Sequence, residues 1–181
     1  MKWVPQRVFL TKGVGKHKAK LSSFESALRD AKIARYNLVR VSSIFPPGCR
    51  LVPRKTGLRE LDDGQIAYCV IAEAAVNEPH RLIAASIGIA MPREKGHYGY
   101  LSEHHSYGET ERTAGDFAED LAAGMLATIM GVPFDAEKNW DEKKRLFRVR
   151  GAAIRTTETT QSAVGDKNGL WTTVVAAAVF I

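Results

Sequence analysis

The chain has 181 residues, of which 45% are apolar and 25% charged, the balance of an ordinary globular domain. This composition excludes collagen, coiled coil and wholesale disorder, and no stretch reaches the roughly 18 apolar residues of a membrane span. The net charge of +6 is uneven, because residues 1–60 carry +11 and residues 61–181 carry −5. We interpret the basic part as a solvated face that docks on an acidic one. It is not interpreted as a nucleic-acid surface, since its densest cluster lacks interleaved aromatic side chains.

The first residues do not predict a signal peptide, because the apolar run at 8–10 is too short for one. Cys49 and Cys69 therefore predict reduced, buried thiols in a cytoplasmic protein. We expect no membrane partner and no nucleic-acid partner.

The first predicted element is a short strand at residues 8–11, ended by a glycine turn at Gly13 and Gly15. These glycines do not match a nucleotide loop, because Lys18 stands where a dinucleotide-binding loop needs its third glycine. We therefore interpret the two glycines as a turn without a phosphate.

Ser22 and Glu25 form a capping-box pattern, which predicts a helix start at this point. The apolar residues that follow at helical spacing are Phe24, Ala27, Leu28 and Ala31. Residues 37–44 then predict a strand by their β-branched content, and the Phe-Pro-Pro-Gly stretch at 45–48 ends it.

Four further strands are predicted at residues 66–76, 82–90, 98–103 and 170–181. A turn at 77–80 joins the first two, and residues 135–150 are charged and predict loose helix. A long helix is predicted at about 109–130. Its expected inward face consists of Ala114, Phe117, Leu121, Gly124, Met125 and Thr128. The mixture predicts an α+β fold with a largely antiparallel sheet.

No metal site is predicted from the residues alone. His104 and His105 are adjacent, so their side chains leave a strand on opposite faces. Cys49 and Cys69 lie twenty residues apart without a partner pair, which matches no zinc spacing.

Ser42 and Ser43 lie near the end of a predicted strand and just before Pro46 and Pro47. The ordinary interpretation is a pair of polar residues at a strand end. The alternative is self-cleavage, in which the Ser43 hydroxyl attacks the Ser42 carbonyl and shifts the peptide to an ester. β-Elimination and hydrolysis then leave a pyruvoyl group at position 43. This chemistry requires a bent backbone and an oxyanion donor.

The segment Asn-Leu-Val-Arg-Val-Ser-Ser-Ile-Phe-Pro-Pro at 37–47 resembles the self-cleavage segment of pyruvoyl-dependent arginine decarboxylases. The resemblance extends to residues 24–33, 84–90, 99–103 and the last strand. It implies one domain over 1–181, folded as an αββα sandwich and cut into a β chain (1–42) and an α chain (43–181). It also implies a covalent pyruvoyl group from Ser43 as cofactor, with no pyridoxal phosphate and no metal.

The resemblance also implies the catalytic residues. Ser43 becomes the ketone that forms a Schiff base with the substrate amine. Glu103 matches the proton donor, so its pKa is expected above the ~4.3 of free Glu. Asn37 matches a residue that hydrogen-bonds near the scissile serines Ser42 and Ser43.

The implied substrate pocket consists of Glu25, which faces the cationic end of the substrate, the new Ser42 carboxylate and Ile44. The implied reaction converts L-arginine to agmatine and carbon dioxide. The family forms trimers of such chain pairs, or dimers of trimers, with active sites between neighbouring subunits.

Alternatives to arginine remain open, because the compact family type has Asp where this chain has Glu25. The basic β chain also does not attract a cation. Related chains take aspartate or histidine instead. Two further hypotheses are a non-enzymatic basic binding module with an intact serine pair and an autoprocessing enzyme with Ser43 as N-terminal nucleophile.

Overall fold

The structure, a computed structural model, describes residues 3–94, 96–141, 146–149 and 152–181. Its helices are α1 (Lys20–Asp30), α2 (Arg54–Leu58), α3 (Glu111–Ile129) and α4 (Ala136–Asn139). Its first strands are β1 (Arg7–His17), β2 (Asn37–Arg40), β3 (Ile44–Phe45), β4 (Arg50–Leu51), β5 (Ile66–Val76) and β6 (Leu82–Pro92). The remaining strands are β7 (Gly99–Tyr107), β8 (Trp140–Asp141), β9 (Leu146–Val149), β10 (Ala152–Val164) and β11 (Trp171–Phe180).

The strands form two sheets. Sheet A has the order β2-β5-β11-β1-β4, and sheet B has the order β3-β7-β6-β10-β9-β8. Apart from the parallel pairs β2–β5 and β1–β4, the described pairs are antiparallel. Helix α1 packs on sheet A, α3 packs on sheet B, and the sheets face each other. The four layers confirm the predicted α+β class with largely antiparallel sheets.

The main core lies between the sheets and is built by alternation along the strands. On β5, Val70 and Ala72 face sheet B, whereas Cys69 and Ile71 face α1. The last strand alternates in the same way, with Val174 facing sheet B. Both faces of sheet A are therefore buried around β5 and β11, which explains the long apolar runs of these two strands.

The predicted glycine turn at Gly13 and Gly15 is wrong, because β1 runs through both residues to His17. A Cβ atom on Gly13 would lie 2.3 Å from the Ala27 carbonyl oxygen of α1. A Cβ atom on Gly15 would lie 2.2 Å from the Ser23 carbonyl oxygen. The glycines thus permit close approach of a helix to a strand.

The capping box is also wrong. Helix α1 begins at Lys20 after Ala19, so Ser22 and Glu25 both lie inside the helix. Because β1 extends to His17, only a short turn separates strand and helix, and the helix starts three residues earlier than predicted, with Ala19 instead of Ser22 as the N-cap.

Helix α3 was predicted in the right place but with the wrong inward face. Ala114 is buried as expected, whereas Phe117 and Leu121 are exposed. The other buried residues of the helix are Gly115, Ala118, Ala122, Ala123, Leu126 and Ala127. Small side chains let most of this face lie close to the sheet, with Leu126 as its large apolar residue, whereas Phe117 and Leu121 point outward.

The strands predicted at 66–76, 82–90, 98–103 and 170–181 are confirmed as β5, β6, β7 and β11. Strand β10 was not predicted, because its run of Thr and Glu resembles a polar segment. The loose helix predicted over 135–150 is wrong where described, apart from α4, because β8 and β9 follow. Residues 142–145 and 150 of that prediction lie outside the described residues.

Cys49 and Cys69 are buried free thiols, which confirms that prediction. Burial raises the pKa of each thiol to about 11. Within the described part of the chain, no helix is long and apolar enough to cross a membrane.

Candidate active site

The strand predicted over 37–44 is divided between the two sheets. Strand β2 lies at the edge of sheet A, and β3 lies at the edge of sheet B. The last hydrogen bond between this segment and sheet A is the one that the Val41 amide donates to the Cys69 carbonyl at 3.0 Å. Its first link to sheet B is the Ser43 carbonyl, which accepts from the Leu101 amide at 2.8 Å. Ser42 and Ser43 therefore lie where the chain crosses from one sheet to the other.

The crossing contains a tight three-residue turn centred on Ser43. The Ile44 amide donates a 3.0 Å hydrogen bond to the Ser42 carbonyl oxygen. This i to i+2 bond is the mark of a γ-turn. The turn bends the backbone at Ser43 and directs an N–H donor at the carbonyl that a Ser43 hydroxyl would attack. Ser43 is half-buried, whereas Ser42 and Ile44 are exposed.

Glu103 lies on β7, two residues after Leu101 and therefore on the same face of sheet B. Its side chain is exposed in the single chain, but nearby protein atoms still remove part of its solvation. This desolvation raises the pKa of the Glu103 carboxyl, while Arg40 and His105 oppose the rise. The direction agrees with that expected for a proton donor.

An ion pair beside this segment was not predicted. The Arg40 guanidinium pairs with the Glu73 carboxylate. Arg40 is the last residue of β2, three residues before Ser43, and Glu73 lies on the neighbouring strand β5. One sequence signal was available, because Glu73 is the only charged residue in the apolar run at 66–76.

Asn37 lies at the start of β2, away from the serines. Its side-chain amide donates to the Gly64 carbonyl at 2.6 Å. Four residues of extended strand separate Asn37 from Val41, which is about 13 Å. Among the described residues, no hydrogen bond joins Asn37 to Ser42 or Ser43.

Glu25 also lies apart from the serines within one chain. It belongs to α1, which covers the face of sheet A that points away from sheet B. Its carboxylate pairs with Arg29 at 2.5 Å, and the Glu25 side chain is 44% exposed. A single chain therefore unites Ser42, Ser43, Ile44 and Glu103 at one sheet edge, but neither Glu25 nor Asn37.

The two adjacent histidines lie in different surroundings. His104 Nε2 bonds to the Glu109 carboxylate at 2.8 Å, and its ring packs on Phe117 of α3. His105 is exposed on the face that carries Glu103. In the described ranges, no group of three or more His, Cys, Asp or Glu residues could hold a metal.

The family model of pyruvoyl-dependent arginine decarboxylase (PvlArgDC) matches residues 7–181. The chain belongs to the pyruvoyl-dependent arginine decarboxylase family. It is 55% identical over 181 residues to a probable pyruvoyl-dependent arginine decarboxylase of Chloroherpeton thalassium, with both chains fully covered. It is 57% identical over 178 residues to pyruvoyl-dependent arginine decarboxylase 2 of Methanosarcina mazei, covering 98% of this chain and 97% of that one. The corresponding protein of Nitrosopumilus maritimus is 52% identical over 178 residues, covering 98% and 97%.

These matches confirm the family inferred from residues 37–47 and its neighbouring segments. A member of the pyruvoyl-dependent arginine decarboxylase family is an enzyme with a covalent pyruvoyl cofactor rather than pyridoxal phosphate. The non-enzymatic binding module is not favoured.

Proposed function

We propose that this chain cleaves itself between Ser42 and Ser43 and then decarboxylates L-arginine to agmatine and carbon dioxide. The observation that carries the proposal is the γ-turn at Ser43, which lies at the crossing between the two sheets. Names of relatives that are more than half identical in sequence support arginine as the substrate.

The turn supports self-cleavage because it supplies the bent backbone and the oxyanion donor that the acyl shift requires. The Ser43 hydroxyl attacks the Ser42 carbonyl carbon, the C–N bond breaks, and an ester forms. During the attack the carbonyl oxygen gains negative charge, and the Ile44 amide already donates to that oxygen. The ester then loses the Cα proton of Ser43 and releases the Ser42 carboxylate. Water hydrolyses the resulting dehydroalanine to a ketone and ammonia.

The residues at the turn fit the pyruvoyl group. The group would supply a ketone that takes up the substrate amine and an amide carbonyl that acts as the electron sink for loss of carbon dioxide. The Leu101 amide holds the Ser43 carbonyl oxygen, which is also an oxygen of the finished group. Glu103 lies two residues farther along β7 and is assigned to return a proton to the substrate carbon. A raised pKa favours this role, because only the protonated carboxyl can donate.

Recognition of arginine is assigned to Glu25, the Ser42 carboxylate and Ile44. A guanidinium prefers a carboxylate, because the two planar groups can form paired hydrogen bonds. Since Glu25 and Asn37 do not reach the serines of their own chain, we assign them to the site of a neighbouring subunit. The resemblance to the family implies a trimer of β-chain and α-chain pairs, or a dimer of trimers, and a site shared between subunits is compatible with it. The proposed location is the cytoplasm.

Two measurements on the purified protein test the proposal. Intact mass spectrometry is expected to show fragments of 1–42 and 43–181, the larger lighter than a serine-led chain because it begins with pyruvoyl. Carbon dioxide release is then compared for arginine, lysine, ornithine, histidine and aspartate, and arginine is expected to be fastest. A serine-led larger fragment would contradict the pyruvoyl assignment. A preference for aspartate or histidine would contradict only the substrate.

A further inference from the structure

A cavity of about 520 Å³ opens at the rim of the core between the sheets, where β6 ends and β10 begins. Its floor contains Phe45, Cys49 and Met91, which belong to that core or pack against it. A volume of this size suits a small organic ligand, since ligand pockets span roughly 300–1,000 Å³. Among the described lining residues, none is assigned above to arginine recognition or to proton transfer.

Two arginines lie side by side at the cavity. Arg93 and Arg155 both line it and are exposed to solvent. Arg155 on β10 lies opposite Met91 on β6, and the Arg93 amide donates to the Ala153 carbonyl at 3.1 Å. Arg93 is therefore the diagonal neighbour of Arg155 on the same face of sheet B. Diagonal neighbours are roughly 7–8 Å apart, a distance that long side chains can span.

These two guanidinium groups have no counter-ion within the described part of the chain. Other arginines, such as Arg29 and Arg40, are paired with carboxylates. The acid among the described lining residues is Glu94, which is 78% exposed and lies 3.9 Å from His97. Like charges that face each other across a strand pair destabilise it. An anion bound between Arg93 and Arg155 would offset this repulsion.

The lining also indicates the shape of the anion. Each guanidinium presents a planar set of N–H donors that matches one carboxylate in a paired geometry. Two guanidinium groups on neighbouring strands therefore suit two carboxylates on one molecule. The floor of Phe45, Cys49 and Met91 offers apolar contact to the carbon chain between them.

We propose that this cavity binds a small organic dicarboxylate, with one carboxylate on Arg93, the other on Arg155 and the carbon chain on the apolar floor. The inference goes beyond the proposed function, because the cavity is formed by the uncleaved chain and requires no pyruvoyl group.

The test is isothermal titration calorimetry of the purified, cleaved protein with glutarate, a five-carbon dicarboxylate. Saturable binding is expected, with a Kd below about 1 mM. Pentanoate has the same chain length but one carboxylate, and it is expected to bind about tenfold or more weakly, since it forgoes one set of charged hydrogen bonds. Inorganic phosphate is also expected to bind more weakly than glutarate, because it offers the floor no carbon chain.

Substitutions then test the assigned contacts. Arg93→Gln and Arg155→Gln are each expected to weaken glutarate binding about tenfold or more. Glu94→Gln is expected to strengthen it, because the acid opposes an anion. Arg81→Gln is the matched control and is expected to bind like wild type. Arg81 is exposed and unpaired among the described residues, and it precedes β6 at the opposite end of that strand, roughly 35 Å from Arg93.

A thiol on the cavity floor reports where the ligand lies. Cys49 lines the cavity, whereas Cys69 faces α1 on the outer side of sheet A. Saturating glutarate is expected to slow alkylation of Cys49 at least about twofold and to leave Cys69 unchanged, because the bound ligand covers the floor. Peptide mass spectrometry measures both rates. If the arginine variants do not fold, this measurement and the comparison with pentanoate decide.

The inference is overturned if glutarate does not bind saturably, if pentanoate or phosphate binds as tightly, or if Cys49 is not protected. It is also overturned if both arginine variants bind like wild type, if Arg81→Gln weakens binding equally, or if Glu94→Gln weakens it. Failure of the proposed function has a different signature, namely an uncleaved wild-type chain or a preference for another amino acid. Ser43→Ala, which cannot form the pyruvoyl group, is expected to bind glutarate like wild type, and loss of binding in that variant would contradict a separate cavity.

Discussion

The backbone amide of Leu101 donates a 2.8 Å hydrogen bond to the carbonyl oxygen of Ser43. This bond joins the scissile segment to β7, the strand that carries Glu103 two residues farther on. The proposed electrophile and the proposed proton donor are therefore positioned by the same strand. A shift of β7 along β6 would displace both groups together, which keeps their separation constant.

Ser43→Ala is expected to give a single, folded and inactive chain of 181 residues. Alanine removes the attacking hydroxyl, and loss of one half-buried polar atom costs little stability. Intact mass and a thermal melt measure both properties. Ser42→Ala is the matched control and is expected to cleave, because Ser42 contributes its carbonyl and not its hydroxyl. Two fragments from Ser43→Ala would rule out the assigned cleavage.

Glu103→Gln is expected to cleave normally but to decarboxylate about 10²–10⁴-fold more slowly, the usual effect of losing a general acid. In the wild type, the rate is expected to fall as pH rises through the Glu103 pKa, since the protonated form is active. Partial burial raises that pKa, so the fall begins at a higher pH than for a free Glu side chain. Turnover within about threefold of wild type would show that another group donates the proton.

Glu25→Gln is expected to raise the arginine KM about tenfold or more, with a smaller change in kcat. The contact is remote from the broken bond and acts in both the ground state and the transition state. Arginine must also displace Arg29, which pairs with Glu25 in the single chain. Steady-state kinetics test this with Asp116→Asn as control, which alters a similar i,i+4 pair with Arg112 on α3. Equal KM changes in both variants would reject a direct role for Glu25.

Gly13→Ala is expected to lower the free energy of unfolding by about 1–3 kcal/mol, the usual effect of overpacking. The new methyl group would meet the backbone at Ala27 of α1 and at Ala31, which follows the helix, and backbone cannot move aside as a side-chain tip can. Urea denaturation of the cleavage-blocked Ser43→Ala chain measures the change in a single chain. Gly124→Ala is the control, because its Cβ would lie 3.4 Å from the Phe134 ring in ordinary contact. Equal stability of the two variants would contradict the close packing of α1.

The sequence predicts the elements whose signals are local. Strands such as β5 and β11 are long apolar runs rich in β-branched residues, so their existence is readable without the fold. Gly13 and Gly15 led to a wrong prediction. They are needed because helix α1 packs closely on β1, and this tertiary contact has no local sequence signal. Strand β10 lacks an apolar run. The residues at its even positions from 154 onward face α3, and they include Thr and Glu as well as Ile.

The residues of the candidate site likewise divide into those that short motifs predict and those that depend on the fold or on a second subunit. Ser42, Ser43 and Glu103 are found from short motifs and their resemblance to a family. The Arg40–Glu73 pair depends on the parallel register of β2 and β5, which no local pattern specifies. The positions of Asn37 and Glu25 relative to the serines depend on a second subunit in our proposal, so neither the sequence nor one chain brings them together.

Sheet A contains strands from both sides of the proposed cleavage point. Strand β1 lies between β11 and β4, and β2 lies against β5, so residues 1–42 supply two of its five strands. Once the bond after Ser42 is broken, the shorter piece is a structural partner and not a removable leader. Its release would expose the inner faces of the sandwich. Unfolding of the mature protein then becomes a dissociation, and its recovery depends on the concentration of two molecules. The precursor is therefore expected to fold as one chain before cleavage, because the two segments are then covalently linked and their association does not depend on concentration.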